Sequence, residues 1–159
     1  MLIYQKRNNL KVTFNGYFYK EEKKGIKKAI EVFNSYFNIS DEFYFNLNSI
    51  SKHEISNLNS EYFNKKGPTD VLSFPLFSGI VEINQLNIEN EETLGDMFFC
   101  RSILKMNAAK YHKSLIEELQ LVLVHGLLHL VGYTHADESE LRKRENAILD
   151  KVWNGLIKN

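Results

Sequence analysis

The sequence predicts a mixed helix-and-strand fold, and three stretches carry that prediction. Over 42–50 apolar residues fall at every second position, over 23–37 they recur at three and four, and from Leu115 to Val131 they cover nearly every side. With 159 residues, 43% of them hydrophobic and with 11 Phe and 8 Tyr against 1 Trp, the composition is that of a globular protein. That length sits within one ordinary domain and suffices for a real core, so residues 1–159 are expected to form one folded unit.

Taken in order, Leu10 to Phe14 alternates weakly as a first strand, and Asn15-Gly16 marks a turn. From Lys23 to Phe37 a helix is expected, with Ile26, Ala29, Ile30, Phe33, Tyr36 and Phe37 on one face and lysines opposite. Glu42 to Ile50 sets Phe43, Phe45 and Leu47 against Tyr44, Asn46 and Asn48, the mark of a half-buried strand. A short helix from about His53 to Phe63 should turn Ile55, Leu58 and Tyr62 inward. Lys65-Lys66-Gly67-Pro68-Thr69-Asp70 is loop chemistry, and Val71 to Leu76 the next strand, placed at a sheet edge or ended by Pro75, which has no N–H to donate. Phe77 to Thr93 is acidic and rich in asparagine, as in a hairpin or surface excursion, before Leu94 to Cys100 returns as strand. Helix then dominates: Ser102 to about His112, a break near Lys113, and Leu115 to Val131. A helix apolar on all sides is a buried one. Gly132 is the natural stop, and a last helix runs from near Asp137, with Glu140 spaced for a capping box, to about Gly155.

Twenty basic and twenty acidic residues cancel, so no global field draws in a polyanion or an anionic membrane. Nucleic-acid contact would need a local patch. Candidates are Lys20, Lys23, Lys24, Lys27 and Lys28, then Lys65 and Lys66, then Arg142 to Arg144, although such runs are ordinarily the solvated faces of helices. The single cysteine, Cys100, leaves no partner for an internal disulfide and suits a reducing compartment, so a cytoplasmic location is expected. Met1 to Asn15 carries Lys6, Arg7 and Lys11 with no apolar block behind them and does not read as a secretory signal. The most apolar stretch, Leu121 to Leu130, is interrupted by His125 and His129 and is too short to cross a bilayer. No dinucleotide cofactor is expected.

Two imidazoles on the most buried helix require a reason, because a buried polar group without a partner costs a few kcal/mol. His125 and His129 lie four apart and project from one face. That spacing suits two ligands of one metal ion, each nitrogen at about 2.0–2.1 Å. Gly132 stops the helix, and the Tyr133-Thr134 turn can bring His135 back to the same ion. Three nitrogen ligands leave a fourth tetrahedral position open, as in catalytic zinc sites, where the pKa of a bound water falls from 15.7 toward roughly 7. Hydrolysis follows, with one zinc per chain expected, although copper, iron and nickel also accept imidazole. In the H-E-x-x-H pattern of zinc proteases a general-base Glu follows the first His; here that position is Gly126, which disfavours a peptidase of that kind. Asp137, Glu138, Glu117 and Glu118 are near enough in sequence to take a proton, but Asp137 and Glu138 are better explained as the start of the last helix, and at least one of Glu117 and Glu118 should face solvent. The general base stays unassigned. His53 and His112 have no such partners.

The segment His125-Gly-Leu-Leu-His129-Leu-Val-Gly-Tyr-Thr-His135 resembles the signature of the YbeY family, bacterial ribosomal RNA maturation factors and zinc-dependent endoribonucleases. Leu58 to Tyr62 followed by Lys65, then Gly67 to Pro75, resembles a second family signature, and Leu94-Gly95-Asp96 a third, in the family's order and spacing from about Ile50 to His135. The resemblance implies an α+β, zincin-like fold: a small mixed β-sheet packed against helices, with a buried central helix carrying two of the metal ligands His125, His129 and His135. It further implies cleavage of single-stranded RNA in 3′-end maturation of small-subunit ribosomal RNA, a part in ribosome quality control, and ribosomal RNA and the small ribosomal subunit as partners. A substrate groove between the metal and Pro68 to Pro75 belongs to the same expectation.

Two positions depart from the family pattern. Phe63 stands where the family usually has Arg, leaving Lys65 or Lys66 as the candidate substrate-binding cation, without arginine's bidentate fork. Thr134 stands where an Asp usually precedes the third His, a change expected to weaken orientation of that ligand. A ribosome-assembly or RNA-binding factor with a mainly structural metal is the alternative reading; a zinc hydrolase of peptides or small molecules is a third.

Overall fold

The structure is a computed structural model that describes residues 9–155. Most of the Met1 to Asn15 segment, including Lys6 and Arg7, therefore lies outside the described residues. Four strands, β1 (Lys11–Asn15), β2 (Phe43–Ser49), β3 (Val71–Pro75) and β4 (Glu92–Phe99), form one sheet in the order β1-β2-β4-β3. β1, β2 and β4 run parallel, and β3 is antiparallel to β4. The fold is α+β with a mixed sheet. β3 pairs on one side only, as the missing N–H of Pro75 requires.

Among the described residues six α-helices accompany the sheet: α1 (Lys20–Phe37), α2 (Lys52–Phe63), α3 (Ile80–Gln85), α4 (Arg101–Lys110), α5 (Leu115–Leu130) and α6 (Glu138–Asn154). On β2 the alternation works as expected, since Phe43, Phe45 and Leu47 enter the core while Asn46 and Asn48 bond across to Asp96 and to the Met97 carbonyl. α5 is the buried helix, touching α1, α4, α6 and β3. Its start is set by Ser114, whose hydroxyl accepts from the Glu117 N–H while the Glu117 carboxylate accepts from the Ser114 N–H. Its rotation is held by buried Gln120, which donates to the Gly25 carbonyl of α1 and accepts from Trp153 of α6. These ties aim the histidine face of α5 at β3.

Two local expectations are corrected and one is narrowed. Tyr62 is exposed rather than inward, because the second half of α2 lies over the sheet's edge and only Ile55 and Asn59 of that helix are buried. Phe77 to Thr93 takes the excursion of its two readings and not the hairpin: it holds α3, anchored by buried Ile83, and ends in the first residues of β4. The capping box at α6 does not form, since a 3-10 turn over His135–Asp137 leads into the helix and Asp137 makes no side-chain cap. Among the described residues no single helix is long and apolar enough to cross a membrane.

Candidate metal centre

His125 and His129 lie on adjacent turns of one face of α5, with ring centroids 4.6 Å apart and Nε2 atoms 3.1 Å apart. Two nitrogens bound at about 2.0–2.1 Å to one tetrahedral ion would stand about 3.4 Å apart, so little movement separates this pair from a ligating geometry. The chain then reverses at Gly132, where φ is +104° and an added Cβ would fall 2.6 Å from Gly79 Cα. Only glycine satisfies both demands. The reversal returns His135, whose ring centroid lies 5.0 Å from that of His129. One nitrogen from each of the three rings can be chosen so that all lie within 4.8 Å of one another, a group that could hold a metal ion.

The donor atoms are prepared for that task by the atoms behind them. His129 Nδ1 lies 2.7 Å from the Tyr133 carbonyl oxygen, an acceptor only, so Nδ1 carries the proton and Nε2 keeps its lone pair. Burial, together with the neighbouring His125, lowers the pKa of His129 and favours the neutral, ligating form. His125 Nδ1 lies 3.1 Å from Glu145 Oε2 on α6, and a carboxylate there fixes the same tautomer. Glu145→Gln is expected to weaken metal affinity roughly 10–100-fold while leaving the fold intact. Metal titration of the purified variant checks this, and unchanged affinity would deny Glu145 an orienting role.

Gly126 explains why this helix cannot carry a general base directly after its first histidine. The position faces the sheet, and a Cβ there would sit 2.6 Å from Met97 Cε and 2.9 Å from Ser73 Oγ. A glutamate has no room. Ser73 donates to the Gly126 carbonyl and pins β3 against the histidine face.

The two elements enclose a groove of about 550 Å³, lined by all three histidines, Glu145, Tyr133 and Thr134 on one side and by Phe63, Lys65 and the Thr69 to Ser73 segment on the other. Lys65 lies in its wall, whereas Lys66 is exposed outside it. Of the acids near the histidines in sequence, Asp137 and Glu138 sit at the α6 start and Glu117 caps α5. Of Glu117 and Glu118, Glu117 is the one partly open to solvent, and Glu118 is buried and lines the groove; its Oε2 has no hydrogen-bond partner among the described residues and the Lys113 ammonium stands 3.8 Å away. Burial raises its pKa above the ordinary 4.5. Between the unfolded and folded values the native state holds the extra proton, so stability falls as pH rises through that window and is highest below it. Glu118→Gln should accordingly raise the melting temperature more at pH 8 than at pH 4; an equal change at both would show that the carboxylate is not the strained group.

His53 and His112 do not join the site. Glu145 was missed in sequence, although a signal existed: it lies four after Leu141 and three before Ile148, an acid on the buried face of α6.

The family model described as endoribonuclease YbeY matches residues 9–153. A Staphylococcus carnosus relative named endoribonuclease YbeY is 37% identical over 70% of this chain and 74% of its own length. Another, from Staphylococcus epidermidis, is 35% identical over 77% and 79% respectively. One from Thermotoga neapolitana is 34% identical over 66% of this chain and 64% of its own. A Thermotoga maritima protein solved in solution shares the fold, with a TM-score of 0.62 over 94% of this chain and 93% of that one at 24% identity. With its model matched across nearly every described residue, the chain belongs to the YbeY endoribonuclease family.

Proposed function

We propose that this protein is a zinc-dependent endoribonuclease that cuts single-stranded RNA, acting in the cytoplasm on the 3′ end of small-subunit ribosomal RNA and on the small ribosomal subunit in its quality control. The observation that carries the reading is the convergence of His125, His129 and His135 at one end of a groove whose opposite wall holds Lys65. The relatives named endoribonuclease supply the reaction class.

His125, His129 and His135 would hold a divalent ion, which when bound would supply Lewis acidity for phosphodiester hydrolysis. Everything else falls to the chain. Glu145 and the Tyr133 carbonyl hold two of the rings in one tautomer. Lys65 meets the RNA backbone as a point charge. Ser73, by its bond to Gly126, keeps the groove wall at a constant distance from the histidines. Three nitrogens, with no fourth ligand grouped with them among the described residues, support a catalytic over a closed structural site. Phe63 in place of an arginine favours the second reading, an assembly or RNA-binding factor whose metal is structural.

The test is metal content beside single-turnover cleavage of a ribosomal RNA 3′-end precursor, with and without a chelator. About one metal per chain, with cutting abolished by chelation of a protein that stays folded, supports the enzyme. Metal without cutting, on free RNA and on the small subunit alike, or unfolding on chelation, supports the second reading.

A further inference from the structure

Phe63 is the last residue of α2 and lies in the wall of the histidine groove, 42% exposed, next to Tyr62 at 60%. Large aromatic side chains so open to water forgo the burial that usually stabilises them, and here they are not loosely held. Phe63 packs against Phe74 with centroids 5.6 Å apart at 44°, and Tyr62 meets the same ring at 5.2 Å and 76°. Phe74 is in turn wedged on Phe98 of β4 at 5.6 Å.

The backbone just beyond is equally constrained. Asn64 takes a left-handed conformation, its φ being +52°, and ends the helix. Buried Asn59 then ties down the loop, accepting at its carbonyl from the Lys65 N–H and donating from its side chain to the Gly67 carbonyl. The result is an aromatic ring and, two residues on, a lysine held together on one wall of the groove. Among the described residues that lysine makes no ion pair. The acids lining the groove are engaged elsewhere: Glu145 with His125, Asp70 with the Val71 N–H, and Glu118 beside Lys113.

An aromatic face beside a free cation is the pairing that single-stranded nucleic acid requires, a π-surface for an unstacked base and a charge for the adjoining phosphate. A base inside a duplex presents no free face to it. We propose that Phe63, backed by Tyr62 and Phe74, is a stacking subsite for one unpaired base of the RNA substrate, with Lys65 taking a neighbouring phosphate. The inference rests on the endoribonuclease reading and gives that site its preference for unpaired RNA.

The test compares the metal-loaded wild type with Phe63→Leu, Phe63→Trp and Lys65→Ala. Each is titrated with a single-stranded ten-nucleotide RNA carrying one 2-aminopurine and with the same RNA in a duplex, and cleavage is followed in parallel. Leucine keeps the apolar volume and removes the π-face. Phe63→Leu is expected to weaken single-strand binding roughly 5- to 100-fold, to abolish quenching of the 2-aminopurine, and to leave duplex binding and the salt dependence unchanged. Phe63→Trp should retain both affinity and quenching. Lys65→Ala should lower the slope of log affinity against log salt by about 0.7. Equal losses on single strand and duplex, or undiminished quenching in Phe63→Leu, would overturn the proposal while the nuclease reading stands if the wild type still cuts. A wild type that neither binds nor cuts RNA overturns both. Unaltered RNA binding with self-association lost on sedimentation of Phe63→Leu would overturn it in favour of a protein contact.

Discussion

His129→Ala is expected to leave a folded protein that neither retains metal nor cuts RNA. Of the three grouped histidines His129 is the one with the most determined environment: its Nδ1 is committed to the Tyr133 carbonyl, and its Nε2 faces His125. Removing it leaves two imidazoles, one of them on an exposed turn, and two nitrogens do not complete a facial set. The loss should exceed the roughly 10–100-fold that follows from removing a supporting partner such as Glu145. Stability should change by only about 1–2 kcal/mol, since one hydrogen bond to a carbonyl is forfeited in a half-buried place. His53→Ala serves as the control, because His53 is exposed and hydrogen-bonds to Asn57, one turn along its own helix, away from the groove. Metal analysis, thermal unfolding and cleavage on the same preparations decide the matter. Full cleavage by a metal-free His129→Ala protein would remove the metal from the mechanism altogether.

The largest effect on folding is expected at Arg101, far from the groove. Its guanidinium donates to both oxygens of Glu22 at 2.8 and 2.7 Å, and to the Tyr17 carbonyl at 2.8 Å. Glu22 is 2% exposed and also accepts from the Tyr19 N–H, so it ties the entry to α1 to the end of the sheet. Arg101→Ala strands that carboxylate in the interior, at a cost of about 3–5 kcal/mol, a large part of the roughly 5–15 kcal/mol that holds an ordinary domain together. At this chain length the melting temperature should fall by roughly 6–20 °C. Glu22→Gln combined with Arg101→Met should recover much of the loss, because no uncompensated charge then remains. A fall below about 2 °C in the single variant would mean that water reaches Glu22 and the pair contributes little.

The helix pair α1 and α5, the alternation of β2 and the edge position of β3 were all legible in the sequence, and each rests on a local rule. Helical and strand periods repeat along the chain, and a proline has no N–H wherever it stands. The grouping of the three histidines was legible for the same reason: four residues make one helical turn, and a glycine permits the reversal that returns His135. Where expectation missed, the deciding contact was distant. Tyr62 fits the apolar face of α2 by spacing, but the last turn of that helix stays open to solvent, with Tyr62 meeting the Phe74 ring of the edge strand β3 and remaining exposed. Glu140 has capping-box spacing, but the 3-10 turn ahead of α6 takes the chain another way.

What the sequence by itself determined is therefore the order of elements, the burial of α5, and the spacing of His125 and His129 on it and of His135 just beyond its end, all set by geometry within a few residues. Only the tertiary structure decided that Glu145 stands behind His125, that Arg101 meets Glu22 across 79 residues, that Glu118 turns into the groove and that Phe63 forms its wall beside Lys65. Such pairings depend on which faces of separate elements pack together, and a single contact between distant residues leaves no period in the chain from which it could be read.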